Sequence, residues 1–261
     1  MKKEGIKLKF ISSLLLVSFL LNYTFAVEPQ GFFKNLKNDS IDIITSPVRI
    51  KKNIFIVSLF STGFITLLLN DEKIQDFLKK EEWNSFDNIF QTTEYLGDGR
   101  VTLSIFSLYY LYGKLFDDKK AQEVFYKGVE SCMRVRMVTN RVQVVSGRKR
   151  PYLDKEPYQF SFFNFENKNM SLPSGHATVA FSFASVIDSY TNSLLLKISV
   201  YSFAGFAALS RVYNNCHWSS DIFLGSVMGF CVGKYVCRKR NDNLSFEIEP
   251  SETSVVYRVK F

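Results

Sequence analysis

The sequence predicts an all-α protein, a helical bundle of about six core helices followed by a short polar C-terminal extension. Apolar stretches of helical length recur along the chain, polar turn segments such as 70–85 separate them, and β alternation is confined to the tail. The 261 residues are enough for one sizeable core, and 26 Phe suit extensive burial or contact with lipid.

The N-terminal segment 1–26 has the pattern of a secretory signal peptide. Four lysines precede an apolar run from Phe10 to about Leu21, and small residues follow up to Ala26. This pattern predicts cleavage after Ala26, and the alternative is an uncleaved anchor helix. In both cases we expect the chain in the cell envelope. Residues 27–52 are polar and mixed, and we interpret them as a linker.

The helical bundle is predicted over residues 53–237. Its apolar stretches are 54–69, 101–116, 178–190, 194–210 and 222–236, and a longer, less apolar stretch covers 121–147. The tail 238–261 begins with the basic run Arg238-Lys239-Arg240. It ends with Tyr257, Val259 and Phe261 alternating with cations, which predicts a short strand.

Two patterns conflict over how this bundle meets a membrane. The apolar runs are 13–17 residues long, shorter than the ~20 of a bilayer span, and three arginines in 121–147 are costly in hydrocarbon. Both facts favour a soluble or surface-bound bundle. However, Arg238-Lys239-Arg240 after the last apolar run is typical of a cytoplasmic end. Six membrane spans with both basic ends in the cytoplasm would place the loops that carry the motifs described below outside the cell membrane. A working signal peptide would instead export residues 27–53 and reverse the direction of every later span. We favour an exported bundle in or on the periplasmic side of the membrane.

The net charge of +8 favours anionic partners such as phosphates or acidic lipid headgroups. Nucleic acid is not an expected partner, because the cations are scattered rather than arranged in a stripe with stacking aromatics.

Three clusters carry the residues suited to chemistry, and both histidines of the chain fall in them. The first is Arg148-Lys149-Arg150-Pro151. The second is Pro173-Ser174-Gly175-His176, directly before an apolar helix. There Ser174 is a natural N-cap, the helix start is an anion site and His176 is a possible proton donor. The alternative is an ordinary capped helix.

The third cluster, "SRVYNNCHWSSD", holds Ser210, Arg211, His217 and Asp221. His217 and Asp221 are four apart, so on a helix they share one face, and a carboxylate on one ring nitrogen would leave the other free to react. The alternative is a local pair that caps a helix start. Together the clusters indicate a phosphoryl-transfer site with an arginine clamp. We expect no metal and no cofactor, because the sequence has no metal-ligand cluster.

This three-part pattern resembles the phosphatidic acid phosphatase type 2 and vanadium haloperoxidase superfamily. The family signature is a lysine seven residues before Arg-Pro, then Pro-Ser-Gly-His, then Ser-Arg with a histidine and an aspartate after it. The last two parts are intact here, whereas the first keeps Arg150-Pro151 but has Gln143 in place of the lysine. The resemblance covers roughly residues 70–237.

The resemblance implies a role for each matching residue. His217 would be the nucleophile that forms a phosphohistidine, Asp221 would orient it, and His176 would protonate the leaving oxygen. The phosphate would be held by Arg150, Ser174, Gly175 and Arg211. Gln143 weakens this clamp because it lacks charge, and we consider Arg148 or Lys149 as replacements for the missing cation.

The leading hypothesis is therefore an envelope phosphatase acting on a phosphomonoester or pyrophosphate, with a phosphorylated lipid or a small phosphoester as substrate. A soluble periplasmic acid phosphatase is an alternative. A vanadate-dependent haloperoxidase is another, although 261 residues are short for that branch. A non-catalytic protein that binds phosphate or lipid is the third, and Gln143 motivates it.

Overall fold

A computed structural model describes residues 54–80, 87–153, 156–238, 247–250 and 255–258. Seven α-helices make up the bundle in these residues, and the predicted all-α fold is confirmed. They are α1 (Ile54–Lys80), α2 (Asp87–Glu94), α3 (Gly99–Leu115), α4 (Lys119–Ser146), α5 (Gly175–Tyr190), α6 (Leu194–Tyr213) and α7 (Ser219–Arg238). Single 3-10 turns lie at Tyr95–Gly97, Pro151–Leu153 and Asn167–Asn169.

The tail has an antiparallel hairpin of β1 (Glu247–Pro250) and β2 (Val255–Arg258). Tyr257 lies in β2 as the alternation predicts, whereas Val259 and Phe261 lie outside the described residues. The predicted signal peptide and the linker 27–52 also lie outside them.

Helix α1 continues through residues 70–80, so the predicted turn there is wrong. Asp71 and Gln75 are one helical turn apart and both are buried. The Asp71 carboxylate accepts hydrogen bonds from α7, and the Gln75 amide donates to the Val212 carbonyl oxygen in α6 at 3.1 Å. The polar residues therefore form a buried face of the helix, which a count of apolar residues misses.

The helices are also longer than their apolar runs, because polar residues extend one end of most helices and both ends of α7. Helices α6 and α7 have 20 residues each and are long and apolar enough to cross a membrane. The inference that the helices fall short of a bilayer is therefore wrong for these two. Core helices of soluble proteins can have the same length and composition.

The six long helices alternate in direction, which places their ends at two opposite poles. Helix α1 runs antiparallel to α7, because Gly63 lies against Phe223 whereas Asp71, later in α1, contacts Ser219, which is earlier in α7. Helix α5 runs parallel to α7. As a result α4 and α6 end at the pole where α5 and α7 begin.

A row of three glycines in α7 allows it to approach α5 closely. A Cβ atom would lie 2.6 Å from the Ser174 carbonyl oxygen at Gly225, and 2.2 Å from the Thr178 carbonyl oxygen at Gly229. At Gly233 it would lie 2.6 Å from the Cβ atom of Ser185. Because only glycine permits this backbone contact, the starts of α5 and α7 lie side by side, with the Ser174 amide donating to the Asp221 carbonyl oxygen at 3.0 Å.

We expect Gly229→Ala to lower the free energy of unfolding by about 1–3 kcal/mol, because the methyl group pushes α7 away from α5. Gly205→Ala in α6 is the matched control, since a Cβ atom there meets nothing within 4 Å. It should leave stability unchanged or raise it slightly. Denaturant unfolding of both variants measures the difference. Equal effects of the two substitutions would contradict the close packing.

Candidate active site

The three sequence clusters come together at one pole of the bundle. Contacts link the end of α4, the start of α5, the end of α6 and the start of α7. The pole carries every site residue predicted from the sequence: Gln143, Arg150, Ser174, Gly175, His176, Arg211, His217 and Asp221.

His217 is buried between α6 and α7, with 2% of its surface exposed. Its Nδ1 atom lies 2.8 Å from the Ser171 carbonyl oxygen. A carbonyl oxygen only accepts hydrogen bonds, so Nδ1 carries the proton and Nε2 keeps a free lone pair. Burial is the main cause that lowers the pKa of His217, and the positive charges of Arg150 and Arg211 add to it. The ring is therefore neutral at pH 7.

Asp221 supports His217 in a different way from the one predicted. Its Oδ2 atom lies 3.7 Å from Nδ1 of His217, too far for a hydrogen bond. Instead Oδ2 accepts from the Ser171 hydroxyl at 2.5 Å and from the Trp218 amide at 2.9 Å. The second bond caps the start of α7. Asp221 thus fixes the two segments that hold the ring.

Arg148 is fully buried and binds two carboxylates. Its guanidinium donates to Asp221 at 2.6 Å and to Asp71 at 2.8 Å. It also donates to the Ser220 hydroxyl at 2.7 Å and the Pro157 carbonyl oxygen at 2.9 Å. Arg148 is therefore not a substitute for the missing phosphate-binding cation.

Lys149 is not a substitute either, because its ammonium donates to the Gln159 side chain at 3.1 Å. The side chains of both basic neighbours of Arg150 thus have structural partners. Arg150 itself also reaches the third cluster. Its guanidinium lies 3.5 Å from the Cys216 carbonyl oxygen and also donates to Asn167 and Met170.

Arg211 lies at the end of α6 and forms an ion pair with Glu94 of α2. Its Nε atom is buried and has no hydrogen-bond partner among the described residues. The Arg211 carbonyl oxygen accepts from the amides of Cys216 and His217 at 2.9 and 3.1 Å. The helix end therefore positions both the cation and the histidine.

Ser174 is the N-cap of α5, as predicted, and its hydroxyl accepts from the Ala177 amide at 3.4 Å. The next N–H groups belong to the first helical turn, which has no preceding turn to pair with. His176 follows on this turn and is partly buried. Burial above all, and then the charge of Arg211, lower the pKa of His176 to about 3.

Gln143 lies at the end of α4 and is buried. Its amide donates to the Pro173 carbonyl oxygen at 2.8 Å. It therefore supports the loop before α5 and supplies no charge to the site.

Sequence reasoning missed three residues of this pole: Asp71, Glu94 and Ser171. Asp71 and Glu94 stand among other acidic residues of polar segments, and nothing local separates a buried carboxylate from an exposed one. Ser171 contacts His217 through its backbone carbonyl, which leaves no signal in the sequence. Among the described residues, no three His, Cys, Asp or Glu side chains gather where they could hold a metal ion.

Comparison with known proteins relates these clusters to one family. Residues 129–245 match the family model of the PAP2 superfamily. The lipid A 1-phosphatase of Porphyromonas gingivalis is 36% identical over 66 residues, which are 24% of this chain and 15% of that relative. The match thus spans about a seventh of the relative's length.

Two crystal structures resemble the chain more broadly. LpxE of Aquifex aeolicus has a TM-score of 0.48 and 20% identity, covering 64% of this chain and 94% of that one. A transmembrane PAP2 type phosphatidylglycerolphosphate phosphatase of Bacillus subtilis has a TM-score of 0.48 and 18% identity, covering 69% and 92%.

We expect Arg148→Met to lower the free energy of unfolding by about 3–5 kcal/mol, because it leaves two buried carboxylates without a counter-charge. Lys149→Met is the matched control, since the neighbouring lysine has a single side-chain partner and should cost less than about 1 kcal/mol. Denaturant unfolding measures both. A loss no larger for Arg148→Met than for Lys149→Met would contradict the role of Arg148.

Proposed function

Because residues 129–245 match the family model of the PAP2 superfamily, we propose that the chain is a cell-envelope phosphatase. It removes phosphate from a phosphomonoester or pyrophosphate, carried by a lipid, through a phosphohistidine intermediate. The observation that carries this proposal is His217: a neutral, buried ring with Nε2 free, near the positive charges of Arg150 and Arg211 and at the pole where α5 begins. The lipid A 1-phosphatase relative supports a lipid substrate.

In the first step, the lone pair of Nε2 of His217 attacks phosphorus and the bond from phosphorus to the leaving oxygen breaks. His176 gives its proton to that oxygen, so the leaving group departs as a neutral alcohol or as a protonated phosphate anion. Arg150, Arg211 and the N–H groups at the start of α5 hold the phosphoryl oxygens as their charge develops. Asp221 keeps the ring in place through Ser171 and Trp218.

In the second step, water attacks the phosphohistidine and its proton passes to His176. The bond between nitrogen and phosphorus breaks, and inorganic phosphate leaves. His217 regains its lone pair with Nδ1 still protonated against the Ser171 carbonyl oxygen. The cycle uses no group beyond those of the chain and water, and the expectation that no metal takes part stays a prediction.

The surface of the bundle supports a location in the membrane. Large apolar side chains are exposed on several helices, a pattern that marks contact with lipid or another protein. Examples are Leu59 and Leu69 on α1, Leu108 and Leu115 on α3, and Leu195 and Ile198 on α6. A lipid substrate would then reach the pole of the site from the bilayer surface.

The basic ends of the bundle support a periplasmic site. Helix α7 begins at the site and ends at Arg238. Because its 20 residues are about 30 Å long, Arg238 lies at the pole opposite the site. In the sequence Lys51 and Lys52 are separated from the start of α1 only by Asn53, and α1 begins at the same pole as Arg238. Under the positive-inside rule this pole faces the cytoplasm, so the site faces outward.

Phosphate release from a panel of lipid and soluble phosphates, assayed on separated membrane and soluble fractions, tests this function. Release from lipid phosphates in the membrane fraction is expected. A preference for soluble esters in the soluble fraction would support the acid phosphatase alternative instead. Binding without turnover across the panel would support the non-catalytic alternative.

We expect His217→Ala to abolish turnover while the fold is kept, because no other described side chain occupies the position of its Nε2. Rapid quenching of the wild-type chain with substrate labelled in the phosphoryl group should trap an acid-labile protein label that the variant lacks. Cys216→Ser, at the preceding residue, is the control and should keep both turnover and label. Turnover by His217→Ala near the wild-type level would refute the mechanism.

The low pKa of His176 predicts how activity depends on pH. Catalysis needs the protonated form, and above a pKa of about 3 that fraction falls as pH rises. Between pH 7 and 9 a phosphomonoester stays a dianion, so we expect kcat/KM to fall roughly tenfold per pH unit. His176→Gln should be slower and lose this slope. A wild-type kcat/KM that is flat or rises over this range would contradict the assigned role.

A further inference from the structure

The family's lysine position is neutral in this chain, so the site lacks one expected cation. Gln143 occupies the position, is buried and is bonded to the Pro173 carbonyl oxygen. The structural partners of Arg148 and Lys149 exclude both as replacements. The missing charge must come from elsewhere if the pole binds a dianion as tightly as two arginines and a lysine would.

Helix α4 carries three arginines, and only one of them shares the face of Gln143. Seven residues are about two turns, so Arg136 and Gln143 point within roughly 20° of each other around the helix. Arg141 is two residues from Gln143 and points to the other side, where it is exposed. Arg134 also lies on the far side and is paired with Glu130 at 2.8 Å.

The guanidinium of Arg136 reaches the start of α5. Its Nη1 atom lies 2.5 Å from the point where a Cβ atom of Gly175 would be, and the Gln143 amide nitrogen lies 3.9 Å from the same point. A side chain at position 175 would thus displace the guanidinium. Arg136 has no ion-pair partner among the described residues, and its charge reaches His176.

We propose that Arg136 is the third phosphate-binding cation of this site, taking the role that the family gives to the lysine at position 143. The inference rests on the proposed function and names a residue outside the family signature. The planar fork of arginine suits two phosphoryl oxygens at once. It approaches from the solvent side of Gly175, next to the N–H groups at the start of α5.

The test moves the positive charge between the two positions. We expect Arg136→Gln to weaken binding of inorganic orthovanadate, measured by isothermal titration on the full chain, about 10- to 100-fold. The kcat/KM for the best substrate of the panel should fall by a similar factor. Adding Gln143→Lys to Arg136→Gln should recover most of both losses, because it restores a cation at the same point.

Arg141→Gln is the matched control, since it removes an exposed arginine from the opposite side of α4 and should change neither quantity. Equal results for Arg136→Gln and Arg141→Gln would overturn the proposal, as would a loss that Gln143→Lys fails to recover in a folded double variant. Orthovanadate binding tests Arg136 even if no substrate is hydrolysed, so a failure of the proposed function remains distinguishable.

Discussion

The pole of the site depends on one buried charge cluster, in which Arg148 binds Asp71 and Asp221. Removing three charges from water is costly unless each is paired and its remaining donors and acceptors are bonded. Here the guanidinium also bonds Ser220 and the Pro157 carbonyl oxygen. The partners come from α1, α7 and the loop after α4, so these elements are fixed relative to one another. His217 is immobilised as a consequence, because Asp221 holds the Ser171 and Trp218 segments against the ring.

Close backbone packing supplies the second constraint. The glycines of α7 let it run parallel to α5 at a distance that side chains would prevent. Two helix starts therefore lie next to each other, one carrying Ser174 and the other carrying Asp221. At the start of α7 the Trp218 and Ser220 amides donate to the carboxylates of Asp221 and Asp71. The start of α5 is therefore the helix end that favours an anion at this point.

Charge around His176 links the start of α5 to catalysis. In the free protein its protonated form is disfavoured by burial and by neighbouring cations. A bound phosphate dianion offsets those cations, so protonation becomes easier when substrate is present. In the proposed mechanism, the same cations bind the substrate and allow His176 to become protonated only when substrate is bound. The Arg211 ion pair with Glu94 fits this scheme, since a phosphate would compete with the carboxylate for the guanidinium.

The sequence by itself determined the helical class, the six long helices and the residues of the three clusters, because apolar periodicity, capping and motif spacing are local properties. It did not determine that α1 continues past Asp71, or that Ser171 rather than Asp221 bonds the His217 ring. It also did not determine that Arg148 is buried and paired with two carboxylates. From the sequence, Arg136 was only a charge that is costly to place in the hydrocarbon of a membrane. Those outcomes depend on contacts between segments far apart in the chain, such as Arg148 with Asp71 and Arg136 with Gly175. Only the packed bundle decides which of several similar charges is buried, paired or directed at the site.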